Sequence, residues 1–474
     1  MRMHYFCVRK QKHSLRMRKH FIIPRKKALR ACFVATIMAW GAVTTASARV
    51  WTLKECLDHA DQNAADILKL RLQKKQADIS VKQQQGMWLP SVSASASGNL
   101  GYMPFLKGQS ATINGTTVTS SVDKTSYNGS YGVNAAWTLY DGNERTNNIR
   151  LAKAQAQAAN LQTDITLNQI KEQVVQLYIQ TLYSQEALKI NKELLQQDSI
   201  LYRRGQALLE QGQIARYELL ELQTQVSNGQ YDIVSTQTQI EQYKLQIKQL
   251  IYADPEEDFD VAGLTLTDQE ALASIPSTAA VYEQARLRRP EIKNANLSIK
   301  QAQLNYQIAR AGWLPTLSLT AGLGANHSSG NDTEWFTQMK RSFDASVGFT
   351  LSIPIFDRRQ TKSTVQKADI QKTIARLDSA DASHDLYYAI DNYRLNAYNN
   401  QQKFIAGQDR LNYNQQNYDA IFQKAQIGTM NIVETLNARA SLLSARQDAL
   451  QSKYLTIYNK EMLQFYATGQ LTDK

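Results

Sequence analysis

Apolar and polar residues alternate one for one along four short segments of the chain. A two-residue period predicts β-strands with one apolar and one polar face. The predicted strands are residues 91–102, 127–139, 316–326 and 343–355. In the last of them the apolar face comprises Phe343, Ala345, Val347, Phe349, Leu351, Ile353 and Ile355. The polar face comprises Asp344, Ser346, Gly348, Thr350 and Ser352.

Outside these segments the pattern is helical over very long stretches. Apolar residues recur every three or four positions, as in Leu167, Ile170 and Val174. The predicted helical stretches are 51–87, 142–250 with a turn near Gly205 to Gly212, 277–312, and 358 to the C-terminus with a turn near Ile427 and Gly428. A helix of about 60 residues would be about 90 Å long. Because no compact domain is that tall, we expect the helices to pack side by side as coiled coils.

The pattern of helices and strands occurs twice along the chain, as an internal repeat. Trp88-Leu89-Pro90 recurs as Trp313-Leu314-Pro315, and Tyr140-Asp141 is matched by Phe356-Asp357. Each copy has the order helix, two strands, long helix, turn, helix. The predicted organisation is a signal peptide at 1–48, a first repeat at 49–253, an acidic linker at 254–276 and a second repeat at 277–474.

The N-terminal residues account for the excess positive charge. Eleven Lys and Arg and no Asp or Glu fall within residues 1–48, and without them 43 basic residues face 42 acidic ones. An apolar stretch closing with Ala46, Ser47 and Ala48 follows this basic block, as in a secretory signal; Met1 and Met17 are both possible starts. The formal net charge of +12 therefore gives no indication of nucleic-acid binding.

The prediction that the protein spans a membrane rests on its strands. No segment after residue 48 approaches 18 consecutive apolar residues, so no membrane-spanning helix is predicted. Four strands are too few to close a membrane barrel, which needs about eight, so either the strands form a soluble sheet or several chains share one barrel. Aromatic residues at the helix-proximal strand ends favour a shared barrel, because such residues gather at membrane interfaces. These aromatics are Trp88, Trp313, Tyr140 and Phe356; the predicted lipid-facing residues are Val347, Phe349 and Leu351.

Several motifs in this order resemble the TolC-like outer membrane efflux proteins over residues 51–468. They are WTLKECLDHADQN, the two WLP motifs, LYDGNERTNNIRLAKAQ and GTMNIVETLNARASLLSARQDAL. The resemblance implies a membrane α+β fold in which three chains each give four strands to one 12-stranded barrel in the outer membrane lipid of a Gram-negative bacterium. A long α-helical coiled-coil tunnel would extend into the periplasm. It also implies an exit duct joined to an inner-membrane transporter through a periplasmic membrane-fusion adaptor, for tripartite efflux or alternatively for type I protein secretion.

The same resemblance implies two kinds of site residue. Acidic residues just past the second turn narrow the periplasmic entrance in family members; Glu434 matches the first acidic position, but Asn437 stands at the second and Met430 where a basic residue can occur. Glu218 and Glu221 lie similarly past the first turn. For Glu434, a solvated side chain on the helix surface is an interpretation of equal weight to a role in the entrance. The expected adaptor-contacting tips are Gly212, Gln213, Ile214, Gln426, Ile427, Gly428 and Thr429.

The sequence offers no catalytic constellation, cofactor motif or metal site. The three His residues after residue 48 have no Cys or second His at ligand spacing, and no nucleophile with a base and an orienting group is present. We therefore predict a non-enzymatic protein without a cofactor. The alternative from another class is an exported coiled-coil scaffold or adhesin, which would leave the four alternating strands unexplained.

Overall fold

A computed structural model describes residues 49–106, 110–113, 116–119, 123–264, 266–329, 333–427 and 431–471. The predicted signal peptide lies outside the described residues. Ten helices lie in the described ranges: α1 Leu53–Asn63, α2 Ala65–Gly86, α3 Glu144–Glu210, α4 Arg216–Ile251, α5 Asp268–Leu272, α6 Thr278–Arg288, α7 Pro290–Ala311, α8 Trp335–Arg341, α9 Gln360–Gln426 and α10 Ile432–Thr468. No helix in these ranges combines the length and apolarity needed to cross a membrane.

Eight strands in the same ranges form three sheets. They are β1 Arg49–Trp51, β2 Ser91–Tyr102, β3 Ser110–Ile113, β4 Thr116–Thr119, β5 Thr125–Tyr140, β6 Phe259–Val261, β7 Thr316–Ser328 and β8 Asp344–Ser352. The main sheet has the order β2-β5-β7-β8, with every neighbouring pair antiparallel. Within the described part of the chain, its outer strands β2 and β8 each have a neighbour on one side only.

The cross-strand register gives the main sheet two chemically distinct faces. One row across the four strands consists of Val92, Ala135, Ala321 and Val347. The adjacent row, on the other face, consists of Ser93, Asn134, Gly322 and Ser346. The predicted alternation is therefore continuous across the sheet, because directly opposed residues in an antiparallel pair share a face.

The long helices form two antiparallel pairs, α3 with α4 and α9 with α10. α3 and α9 are each 67 residues long, about 100 Å at the helical rise. The α3–α4 seam is close at Gly205, where an added Cβ would lie 2.8 Å from the Cδ1 atom of Leu222. The prediction that the turn begins near Gly205 is therefore wrong: this glycine lies inside α3, and the turn follows Glu210.

Three other predicted boundaries are also wrong. The stretch 51–87 is two helices that break at Ala64, and 277–312 breaks at Arg289, where the following Pro290 begins α7 and disfavours a helical conformation in the residue before it. β8 ends at Ser352, two residues before Pro354, so Ile353 and Ile355 lie outside the strand.

The residues between the repeats are folded into the core. β6 pairs with β1, and the hydroxyl of Tyr178 on α3 donates to the carbonyl of Ala262 at 2.6 Å. Trp51 and Cys56 are buried in the same hydrophobic cluster as Tyr178. The β3–β4 hairpin and the short helix α8, which connect strands of the main sheet, carried no signal in the alternation pattern.

Candidate functional site

The first helix tip is the turn that joins α3 to α4. Gly212 has φ 68°, a conformation that favours glycine, and the amide of Gln213 donates to the carbonyl of Leu208 at 2.9 Å. Gly212 and Gln213 are exposed, while Ile214 is half-buried. The turn thus presents a short polar surface at the end of the helix pair.

The second tip lies between α9 and α10. α9 ends at Gln426, and the side chain of Ile427 is exposed. Gly428 and Thr429, which the sequence analysis placed in this tip, lie outside the described residues, as does Met430 at the position where a basic residue can occur. α10 begins after Asn431, whose side-chain oxygen accepts a hydrogen bond from the amide of Val433 at 2.9 Å and so caps the helix.

The four residues proposed for the entrance differ in their surroundings. Glu434 and Asn437 are exposed on successive turns of α10, and neither has a hydrogen-bond partner among the described residues. Glu218 accepts a hydrogen bond from the amide of Ala215 at 2.8 Å and therefore caps α4. Glu221 is half-buried, and its Oε2 atom is shielded from solvent without a donor among the described residues. Only Glu434 among these three carboxylates is both exposed and unpaired within the described part of the chain.

A buried ion pair lies in the seam behind the tips. Arg439 of α10 contacts Asp198 of α3, with Nη2 2.9 Å from Oδ2, and their side chains are only 8% and 2% exposed. With its amide oxygen turned toward the guanidinium, Gln225 of α4 accepts a hydrogen bond from Nη1 at 2.9 Å. The cluster thereby ties a helix of the second repeat to both long helices of the first.

The two charges of this pair act on each other in a poorly solvated place. Burial raises the pKa of Asp198, and the guanidinium of Arg439 opposes that shift. A buried charge that loses its partner is strongly destabilising, because it keeps its desolvation cost without compensation. Loss of either charge is therefore expected to weaken the contact between the two repeats.

Sequence reasoning missed this pair, although a signal for it was present. Asp198 lies between Leu194 and Leu201 on the buried side of α3, and Arg439 precedes the buried Leu442 by three residues. A charged residue at a position that continues an apolar seam is unusual, because charges are rarely buried unless they are paired. One Asp and one Arg in such positions on different long helices indicate an interhelical pair.

The predicted interface aromatics lie at the junction of helices and strands. Trp88, Trp313, Tyr140 and Phe356 are all exposed. The carbonyl of Trp88 accepts a hydrogen bond from Nε1 of Trp137 at 2.8 Å, and the guanidinium of Arg145 lies 4.4 Å from the centre of the Trp88 ring. These contacts fix the chain where α2 gives way to β2. No group of three or more His, Cys, Asp and Glu that could hold a metal ion is found in the described ranges.

The fold combines a two-faced sheet with open edges, long paired helices and an internal duplication. The sequence profile described as "Outer membrane efflux protein" matches residues 56–251 and 281–467. The chain belongs to this family of channel proteins. It is an outer membrane efflux protein of a Gram-negative bacterium, and the protein extends into the periplasm.

Individual relatives agree with this assignment. The chain is 22% identical to the outer membrane efflux protein BepC of Brucella suis over 94% of this chain and 91% of that protein. It is also 22% identical to the outer membrane protein TolC of Vibrio cholerae over 91% of this chain and 94% of that protein. The fold is similar to that of the CmeC outer membrane channel of Campylobacter jejuni, with a TM-score of 0.71 and 19% identity over 89% of this chain and 87% of that one.

Proposed function

We propose that three copies of the chain close one channel, which is the exit duct of a tripartite efflux pump. The observation that supports the proposal concerns the short helix before the strands in each repeat. In the second repeat this helix contacts two long helices of the same chain, and in the first repeat it contacts one. α7 packs against both α3 and α9, whereas its counterpart α2 packs against α3 among the long helices. Leu304 on α7 is 6% exposed, and its equivalent Ile79 on α2 is 63% exposed.

The surface that would receive the uncovered face of α2 lies on α9, in the second repeat. α3 is covered by α7, and Ala154 on α3 is 2% exposed. Its equivalent on α9, Ile370, is 61% exposed. A second copy that places its α2 against this α9 would repeat the α3–α7 contact and bury both apolar residues. Such a head-to-tail contact closes into a ring when the rotation allows it.

The open edges of the main sheet point to the same partner. When α2 of one copy meets α9 of another, β2 and β8 of the two copies are brought toward each other. Sheet edges in lipid must be paired, because no water is there to satisfy their backbone groups. The resemblance to trimeric family members supports three copies, which would give a barrel of 12 strands.

The oligomer is tested by changing the uncovered helix face. We expect Ile79→Glu to reduce the fraction of trimer, because three carboxylates per assembly would be buried against α9. Mass measurement in mild detergent reads the outcome directly. Ile79→Leu, which keeps an apolar side chain of the same volume, should remain trimeric. A wild-type chain that is a stable folded monomer with intact β signal would contradict the proposal.

The entrance is tested through Glu434. If threefold symmetry brings three copies of this exposed carboxylate around the narrow periplasmic end, they attract cations and favour their passage. We expect Glu434→Gln to abolish cation preference in a planar bilayer at low salt. The difference should shrink at about 1 M salt, where the screening length falls to about 3 Å.

Glu221→Gln is the control, because that carboxylate is half-buried on α4. We expect it to change selectivity less than Glu434→Gln does. Unchanged ion selectivity in Glu434→Gln at low salt would show that this residue is a solvated surface carboxylate and that the constriction lies elsewhere.

The helix tips are the proposed contact with the periplasmic adaptor, which links the duct to an inner-membrane transporter. The exposed turn at Gly212 and Gln213 and the exposed Ile427 support this proposal, since they present backbone and side chains at the ends of both helix pairs.

Fractionation separates a duct from an exported scaffold: a duct stays with outer membranes after salt and alkaline washes, and a scaffold is released.

A further inference from the structure

An open groove lies between α2 and α7, with α3 as its floor, well away from the helix tips. Its volume is about 1100 Å³. Four lysines from the three helices line it: Lys74, Lys82, Lys153 and Lys293. Within the described part of the chain, none of the four makes a hydrogen bond or an ion pair with a side chain. Four lysines thus line one concave surface without direct side-chain partners among the described residues.

The groove also has an apolar component. Val81, Leu161 and Leu297 contribute to its walls, one from each helix. Two carboxylates are nearby: Asp78 lines the groove, and Asp164 is close enough to Lys293 and Lys74 to interact electrostatically with both. The balance around the groove therefore remains positive. A concave site with apolar walls and a few charged groups is the usual form of a small-molecule site.

The internal duplication shows that the fold does not require these lysines. The equivalents of Lys74, Lys82, Lys153 and Lys293 in the other repeat are Ile299, Gln307, Asp369 and Leu68, in that order. The second repeat has a cation of its own in this region, but Lys372 is paired with Asp369. α7 packs against α9 as α2 packs against α3, although Ile299, Gln307 and Asp369 stand in place of Lys74, Lys82 and Lys153. This helix packing therefore does not require the three lysines.

We propose that this groove binds an amphipathic organic anion. The ammonium groups would hold its acidic group, and the three apolar side chains would cover its hydrocarbon part. Lysine ammonium groups bind anions as point charges without demanding a fixed geometry, which suits a range of carboxylates and sulfonates. The groove is formed within one chain, so the proposal is independent of the number of copies and of the entrance residues.

The test uses the intact protein in lipid nanodiscs and two dyes that differ by one charged group. The anionic dye is anilinonaphthalene sulfonate, and phenylnaphthylamine is its uncharged counterpart. We expect the double variant Lys74→Gln, Lys293→Gln to bind the sulfonate about tenfold more weakly, equivalent to two modest charge contacts. Binding of the uncharged dye should be unchanged, and higher salt should weaken only sulfonate binding.

The control is the double variant Lys75→Gln, Lys300→Gln. It removes the same charge from the same two helices at exposed positions that do not line the groove. We expect it to bind the sulfonate as the unchanged protein does, and circular dichroism should show full helix content in both variants. Equal weakening in the two variants, or no saturable sulfonate binding to the unchanged protein, would overturn the proposal. Because the readout is dye binding, it stands apart from the oligomer and selectivity tests.

Discussion

Replacing Arg439 with methionine is expected to lower the free energy of unfolding by about 3–5 kcal/mol, because it leaves the carboxylate of Asp198 buried without its partner. Asp198 is 2% exposed and lies on α3, so water cannot replace the guanidinium without opening the seam between α3 and α10. Methionine retains most of the apolar stem of arginine, which limits the cavity. Denaturant titration followed by the circular dichroism of the helices measures the change.

An exposed pair between the long helices of the second repeat provides the matched control. Arg410 of α9 lies 2.8 Å from Asp448 of α10, and both side chains are about half exposed. Exposed pairs contribute at most about 1 kcal/mol, so Arg410→Met should have a small effect. If Arg439→Met costs no more than Arg410→Met, the buried pair does not hold the two repeats together.

Combining Arg439→Met with Asp198→Leu separates pairing from packing. Removing both charges also removes the desolvation cost, so most of the lost stability should return. Recovery would show that the cost of the single change comes from an unpaired charge. A double variant as unstable as the single one would instead indicate that the shape of the seam requires arginine.

The main strands could be predicted from sequence because the two faces of the sheet differ in chemistry at every residue. The predicted strand 91–102 has the bounds of β2, and the other three strands overlap β5, β7 and β8. The breaks at Ala64 and Arg289 were not predicted, because their causes are partly tertiary. Ala64 is buried in the cluster around Trp51, and Arg289 is buried against Tyr466 with its guanidinium 3.9 Å from the ring centre.

The candidate sites, too, could be predicted from sequence only where tertiary packing does not decide them. The position of Glu434 after the second turn could be inferred from the motif, but its exposure depends on how α10 packs. Sequence alone could not assign Glu218 to the cap of α4, since the hydrogen bond to Ala215 depends on the backbone at the turn. The lysine groove could not be predicted from sequence for a stronger reason: its lysines come from three helices and lie up to 219 positions apart, between Lys74 and Lys293.

Replacing Val347 with arginine is expected to impair assembly by about 2–4 kcal/mol per chain if the residue is near the middle of the bilayer. Val347 lies near the centre of β8, in the apolar row with Ala321 and Ala135. Ser346→Arg is the control, because Ser346 is on the polar face and its cross-strand neighbour Gly322 has no side chain to obstruct it. Refolding yield and denaturant stability in lipid vesicles measure the two effects.

The size of the Val347 effect distinguishes lipid from water around the sheet. Within the isolated chain Val347 is already 72% exposed, so a sheet surrounded by water would lose almost nothing when arginine replaces it. Changes at exposed surface positions usually stay within about 0.5 kcal/mol. A cost of several kcal/mol at Val347 with a small cost at Ser346 therefore requires an apolar medium on one face only. Equal effects at the two positions would contradict a membrane-embedded sheet and favour an exported scaffold, since a sheet in lipid with a wet inner face places neighbouring residues of one strand in opposite environments.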